Sequence, residues 1–181
     1  MYIHEKAAPD AGCSPECPEQ GEQCEFYAFS SSGELTRRDS RVLIFHLLYA
    51  LEASNYEMSI DSIADNLARG LSFPIRIGDR TFTEAQSIVQ SRDELDGIIK
   101  PLLDRWKFER LELCTRIIMR MAIWELTHTD TASTVIINEA IEISKSFAEL
   151  DAYKFINGVL DEWVKRNTPA GKQPPANSSN T

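Results

Sequence analysis

The stretch Ile137–Trp163, INEAIEISKSFAELDAYKFINGVLDEW, decides the fold. Ile137, Ala140, Ile141 and Ser144 recur at the three- and four-residue spacing of one helical face, while Glu142 and Lys145 fall where they can point to water. After one tight turn a second set follows, Phe155, Ile156, Val159, Leu160 and Trp163, spaced for core or partner contacts. Asp151 stands where a side-chain oxygen would cap this second helix and satisfy free backbone N–H groups. Asn138 and Asn157 are poor helix formers, so their amides are expected to bond across helices or to a neighbouring helix end.

The same periodicity extends upstream. Ile44, Leu47, Leu48 and Leu51 predict a first helix over 37–54, and Ser59 is a suitable N-cap for a second, carrying Ile60, Ile63, Ala64 and Leu67 and stopping near Gly70. GLSFPIRIGD then reads as a loop, followed by a third helix around Phe82–Gln90 and a fourth around Glu94–Trp106, which Pro101 must start, bend or split. Leu113, Ile117, Met121 and Trp124 form a stripe that Ile118, Ala122, Ile123 and Leu126 widen, which assigns the fifth helix to the centre. Ser133 or Thr134 is expected to cap the sixth. There is neither strand alternation nor a solenoid repeat. The expected fold is all-α: a compact bundle of about seven short helices, arranged as two sub-bundles around the fifth.

The 181 residues are 43% hydrophobic, enough for an ordinary core, and the formal net charge is -9. That charge is unevenly spread. Residues 1–35 hold one Lys against seven Asp and Glu, leaving eighteen Lys and Arg against twenty-one Asp and Glu for the rest. The acidic extension 1–35 and the polar tail 168–181 lack the apolar content that would offset their ordering entropy, so both are expected to be disordered. Residues 36–167 remain as one folded domain. No apolar run is long enough to span a bilayer, and MYIHEKAAPD lacks a signal-peptide pattern, so a cytoplasmic location is expected.

Cys13, Cys17 and Cys24, with His4, are residue types that bind zinc, but they lack the closely paired cysteines of structural sites, and no metal is expected. Cys114 lies in a helical stretch as a packing residue. His4, His46 and His128 form no catalytic pattern with Cys or Ser, and there is no glycine-rich phosphate loop. Neither an enzyme nor a cofactor is expected. Arg37, Arg38 and Arg41 are the one local basic cluster, at helical spacing, and arginine forks suit phosphate oxygens and stacked bases. Their place at a helix start works slightly against the macrodipole, which favours a functional role.

VIINEAIEISKSF followed by DAYKFINGVLDEW closely resembles the C-terminal signature of the NusB family of transcription antitermination factors. RRDSRVLIFHLLYAL resembles the family's Arg-rich first helix and RIIMRMAIWEL its central helix, so the likeness covers about residues 36–166. The resemblance implies a cytoplasmic RNA-binding protein that pairs with NusE, a small-subunit ribosomal protein. Together they would hold boxA RNA in the transcribing RNA polymerase complex on ribosomal RNA operons. It implies that Arg37, Arg38 and Arg41 meet RNA, with Lys154, Phe155 and Asp151 on the same surface and Phe155 as an aromatic base contact. Tyr49, Thr115 and Arg120 would face NusE. Some members of this family form homodimers, and Phe155 or Trp163 would suit such a contact.

Four positions depart from the family pattern: Asp39 and Ser40 in the Arg-rich start, which weaken the patch; Thr115 where an acidic residue is common; Ala132 where Pro is usual; and the acidic extension, a candidate competitor for the arginines. Two alternatives follow. One is a divergent NusB-like protein-interaction module that has lost RNA binding. The other is a fragment of a ribosomal RNA cytosine methyltransferase, disfavoured because a chain ending at Thr181 leaves no room for an α/β cofactor domain.

Overall fold

The computed structural model describes residues 35–70, 75–104 and 106–167. The two terminal extensions lie outside these residues except for Leu35, and so do His4, Cys13, Cys17 and Cys24. Among the described residues there are α-helices and short 3-10 turns but no strand, as the periodicity required.

Helix α1 (Arg37–Ala53) begins where Thr36 and Asp39 form a reciprocal capping box. The Thr36 hydroxyl accepts from the Asp39 amide at 3.1 Å, and the Asp39 carboxylate accepts from the Thr36 amide at 2.9 Å. Asp39, expected to weaken the basic patch, is instead buried against its own helix start, satisfying two otherwise free donors. Asn55 and Tyr56, both at positive φ, turn the chain into α2 (Ile60–Gly70), where the Ser59 hydroxyl accepts from the Ser62 amide as expected of a cap. Gly78, at φ 87, turns the chain ahead of α3 (Arg80–Gln90), which Asp79 caps through the Phe82 amide at 2.8 Å.

The predicted fourth helix is shorter than its pattern: α4 spans Arg92–Ile99 and passes into a 3-10 turn, Lys100–Leu102, at Pro101. Proline has no N–H to continue the α-helical ladder, so the segment splits there. After a second short turn at Phe108–Arg110 come α5 (Leu113–His128), α6 (Ser133–Phe147) and α7 (Ala152–Asn167). The α6 cap differs from expectation, while Asp151 stands directly before α7 where its cap was expected. Ala132 occupies the N-cap of α6, with Ser133 already helical, and no side-chain bond caps it. Asp151 sits at φ 68 before α7 and its carboxylate pairs with Lys154, 2.8 Å from Nζ.

Helix α5 is the axis of the bundle, packed against α1, α3, α4, α6 and α7. Helices α1 to α3 associate on one side and the α6–α7 hairpin on the other, matching the two sub-bundles inferred from the sequence. Ile117, Ile118, Met119 and Ile123 of α5 interlock with Leu43 and Leu47 of α1, Ile136 of α6, and Ile156 and Leu160 of α7, all buried in one core cluster. Truncating any one of these to alanine costs about 2–5 kcal/mol. Cys114 is half-buried and packs on this core, and burial together with Glu112 holds its thiol pKa above the ordinary value. Among the described residues no helix is long and apolar enough to cross a membrane.

Candidate nucleic-acid interface

The start of α1 gathers Arg37, Arg38 and Arg41 as their spacing predicted, but the bundle gives each a carboxylate. Arg41 donates from Nε and Nη2 to the two oxygens of Glu125 on α5, at 2.9 and 2.6 Å, with both side chains buried. Arg37 donates to Glu84 of α3 at 2.5 Å and to Glu125 at 3.1 Å. Arg38 forms the corresponding fork on Glu139 of α6, at 3.0 and 2.7 Å, and Arg41 Nη1 lies 3.7 Å from the same carboxylate. Burial opposes ionisation of Glu125, but the hydrogen bonds and charges of Arg41 and Arg37 outweigh it and hold its pKa below the ordinary value. The Arg38 fork does the same for Glu139 against a smaller burial effect.

This network fixes three helices to α1 and leaves the arginines unequal. Arg41 is 6% exposed, Arg37 is half-buried, and the Arg38 side chain is 53% exposed. Glu139, not Asn138, is thus the polar residue of the INEA segment that bonds across helices. Asn138 is exposed, and Asn157 donates to Asp161 within its own helix at 3.2 Å. The expected interhelical amide bonds are replaced by ion pairs, which a charged fork makes more strongly.

A second cluster lies at the start of α7. Lys154 and Asp151 pair on the surface, with side chains 63% and 59% exposed. Tyr153 lies under two ammonium groups, with Lys145 Nζ 5.7 Å and Lys154 Nζ 5.6 Å from its ring centroid. Phe155 is half-buried and meets the ring of Trp106 edge to face at 5.9 Å. Trp106 itself is 61% exposed. It stands between two open concavities. One of about 290 Å³ is walled by Leu102, Leu103, Lys154, Phe155 and Gly158; the other, about 350 Å³, is bordered by Arg110, Glu112, Thr115, Glu149, Asp151 and Phe155.

The two clusters are separate. Arg38 of α1 bonds Glu139 in the middle of α6, and eight residues further along each helix His46 meets Phe147 edge to face at 5.2 Å, at the end of α6 that leads into the second cluster. The rise of α6 between those residues is roughly 12 Å. Of the residues assigned to a partner surface, Tyr49 is exposed, Thr115 is buried on the rim of the larger concavity, and Arg120 is buried between Asp96 and Glu52. Burial opposes the Arg120 charge, but Asp96 and Glu52 outweigh it and raise its pKa.

The pattern did not identify Glu84, Glu125, Glu139 or Trp106 as site residues. Glu125 carried a readable signal, since an acid inside the apolar run MRMAIWEL must find a cation when that helix is buried. Gly158 is a further case. It lies inside α7 without positive φ, and a Cβ there would meet nothing within 4 Å. Neither backbone conformation nor packing calls for glycine, which costs a helix about 0.5–1 kcal/mol relative to alanine.

The fold has solved counterparts. The chain is similar to T. maritima NusB with a TM-score of 0.64 and 26% identity, covering 75% of this chain and 95% of that one. One chain of a crystal structure of antitermination factors NusB and NusE in complex with dsRNA matches in fold, with a TM-score of 0.59, 21% identity, and 72% and 96% of the two chains covered. Residues 38–165 match the NusB family, beginning one position after Arg37. The transcription antitermination protein NusB of Staphylococcus haemolyticus is 40% identical over 126 residues, 70% of this chain and 97% of the relative. That of Staphylococcus epidermidis is 37% identical over 129 residues, 70% and 96%. The chain belongs to the NusB family.

Proposed function

We propose that this chain is a transcription antitermination factor that holds boxA-type RNA together with NusE, within the transcribing RNA polymerase complex on ribosomal RNA operons in the cytoplasm. The observation that carries the reading is the Arg38–Glu139 fork, which joins the Arg-rich helix start to the INEA segment and keeps a guanidinium at the surface. Family membership and the fold likeness to a NusB–NusE–dsRNA complex support it. Arg38, Lys154 and Phe155 are the RNA contacts in this reading. Arg37 acts beside Arg38, Arg41 positions the cluster from beneath, and Asp151 restrains Lys154. Tyr49 faces NusE, with Thr115 and Arg120 supporting that face from inside. The role is binding, without a chemical step.

Anisotropy of a labelled boxA-type RNA and of a scrambled RNA, with and without NusE of the same organism, tests this across a salt series. NusE should tighten the boxA-type complex selectively. Arg38→Ala with Lys154→Ala should weaken it and reduce the salt slope by about one for each phosphate that is no longer neutralised. Arg41 is left intact because it is buried. A second reading has its own support: the three arginines face the three carboxylates of Glu84, Glu125 and Glu139, so the cluster is close to neutral. If NusE binds but neither RNA binds better to the wild type than to the variant, the chain is a protein-interaction module.

A further inference from the structure

We propose that the concavity between Trp106 and Gly158 is a pocket for one unstacked RNA base, with Gly158 keeping its floor open and Trp106 supplying the stacking face. The proposal rests on the RNA-binding reading above and assigns to it two residues that the sequence motifs did not implicate as contacts. Three observations converge. Trp106 is the most exposed tryptophan of the described residues, held edge to face against Phe155 rather than folded into the core. The approximately 290 Å³ beside it falls just below the roughly 300–1,000 Å³ of drug-sized ligand sites, as suits a single base rather than a larger ligand. Gly158 borders that space, and nothing it touches within the protein explains its missing side chain.

Charge distinguishes the two concavities. The larger one carries Glu112, Glu149 and Asp151 against the single cation Arg110, a poor setting for a phosphate. The Gly158 side has the exposed Lys154 ammonium, with Asp104 as the acid on its border. A base entering there can stack on the Trp106 indole while its phosphate takes Lys154 from Asp151, a surface pair that resists exchange weakly. A side chain at Gly158 would project into the space that the base needs.

Glycine to alanine inside a helix stabilises it when nothing clashes, so Gly158→Ala separates a structural role from a binding one. Tm and anisotropy with the labelled boxA-type RNA, in the presence of NusE, are measured for wild type, Gly158→Ala, Trp106→Ala and Trp106→Phe. The expected result is a Tm raised by about 2 °C or more in Gly158→Ala. Its RNA affinity should fall at least threefold (~0.65 kcal/mol). Trp106→Ala should lose roughly tenfold, the scale of one base stack, and Trp106→Phe should recover part of it. RNA affinities equal to wild type in Gly158→Ala and Trp106→Ala overturn the pocket. A loss confined to NusE binding or to self-association, read by sedimentation of the same variants at equal concentration, overturns it in favour of a protein occupant. Absence of RNA binding by the wild type removes the underlying reading as well, and so is distinct from failure of the pocket alone.

Discussion

The two basic clusters use the same chemistry at opposite depths. At the start of α1, Arg41 and Glu125 each keep 7% of the side chain exposed, whereas at the start of α7 Lys154 and Asp151 keep 63% and 59%. Out of water the Arg41 fork is strengthened by low local dielectric, and either charge alone would be costly. At the surface, solvent screens the Lys154 pair and leaves its ammonium exchangeable. A cation's presence in the sequence therefore says little about its availability. Arg41 belongs to the scaffold, Lys154 to the surface, and Arg38, bonded to Glu139 yet half in solvent, belongs to both.

The contrast is broken most directly by Glu125→Ala, which leaves Arg41 buried with only Glu139, 3.7 Å away, as a counter-charge. Urea denaturation should show a loss of about 3 kcal/mol; a change near zero would mean that water already reaches the pair. Acidification comes next. Glu125 and Glu139 have folded pKa values below their ordinary 4.5, so they contribute stability that is present above that value and lost as pH falls through the lowered ones. His46, lowered by burial from 6.5, binds its proton more readily when unfolded, so stability also falls as pH drops below about 6.5. A Tm series from about pH 8 down to about pH 3, which spans the ordinary histidine and glutamate ranges, should therefore decline in two stages. Glu125→Gln should flatten the lower one. The smallest effect sharpens the comparison: Lys154→Ala should leave Tm at the wild-type value while reducing the salt slope of RNA binding by about one.

Much of the fold is local information. The spacing of Leu113, Ile117, Met121 and Trp124 marked the central helix, Pro101 marked the break after α4, and Ser59 marked the start of α2. The α6 start was misassigned by one residue because Ser133 and Thr134 offer equivalent caps near the boundary, and backbone geometry placed Ala132 there instead, whereas α7 begins directly after Asp151 as its pattern indicated. Asp39 shows the same limit. As a charge beside arginines it read as a defect in the patch, yet it is half of the capping box that begins α1.

The sequence by itself determined that this chain is a helical bundle with NusB-family motifs, because helical periodicity and turn chemistry act over a few residues. Only the tertiary structure decided which cations reach the surface. Arg41 meets Glu125 across 84 positions and Arg38 meets Glu139 across 101, and no local rule selects those partners. Trp106 and Gly158 likewise become neighbours only when the segment after α4 folds against α7. Burial, which sets both the strength of a charge pair and the exposure of an aromatic face, is a property of the packed bundle.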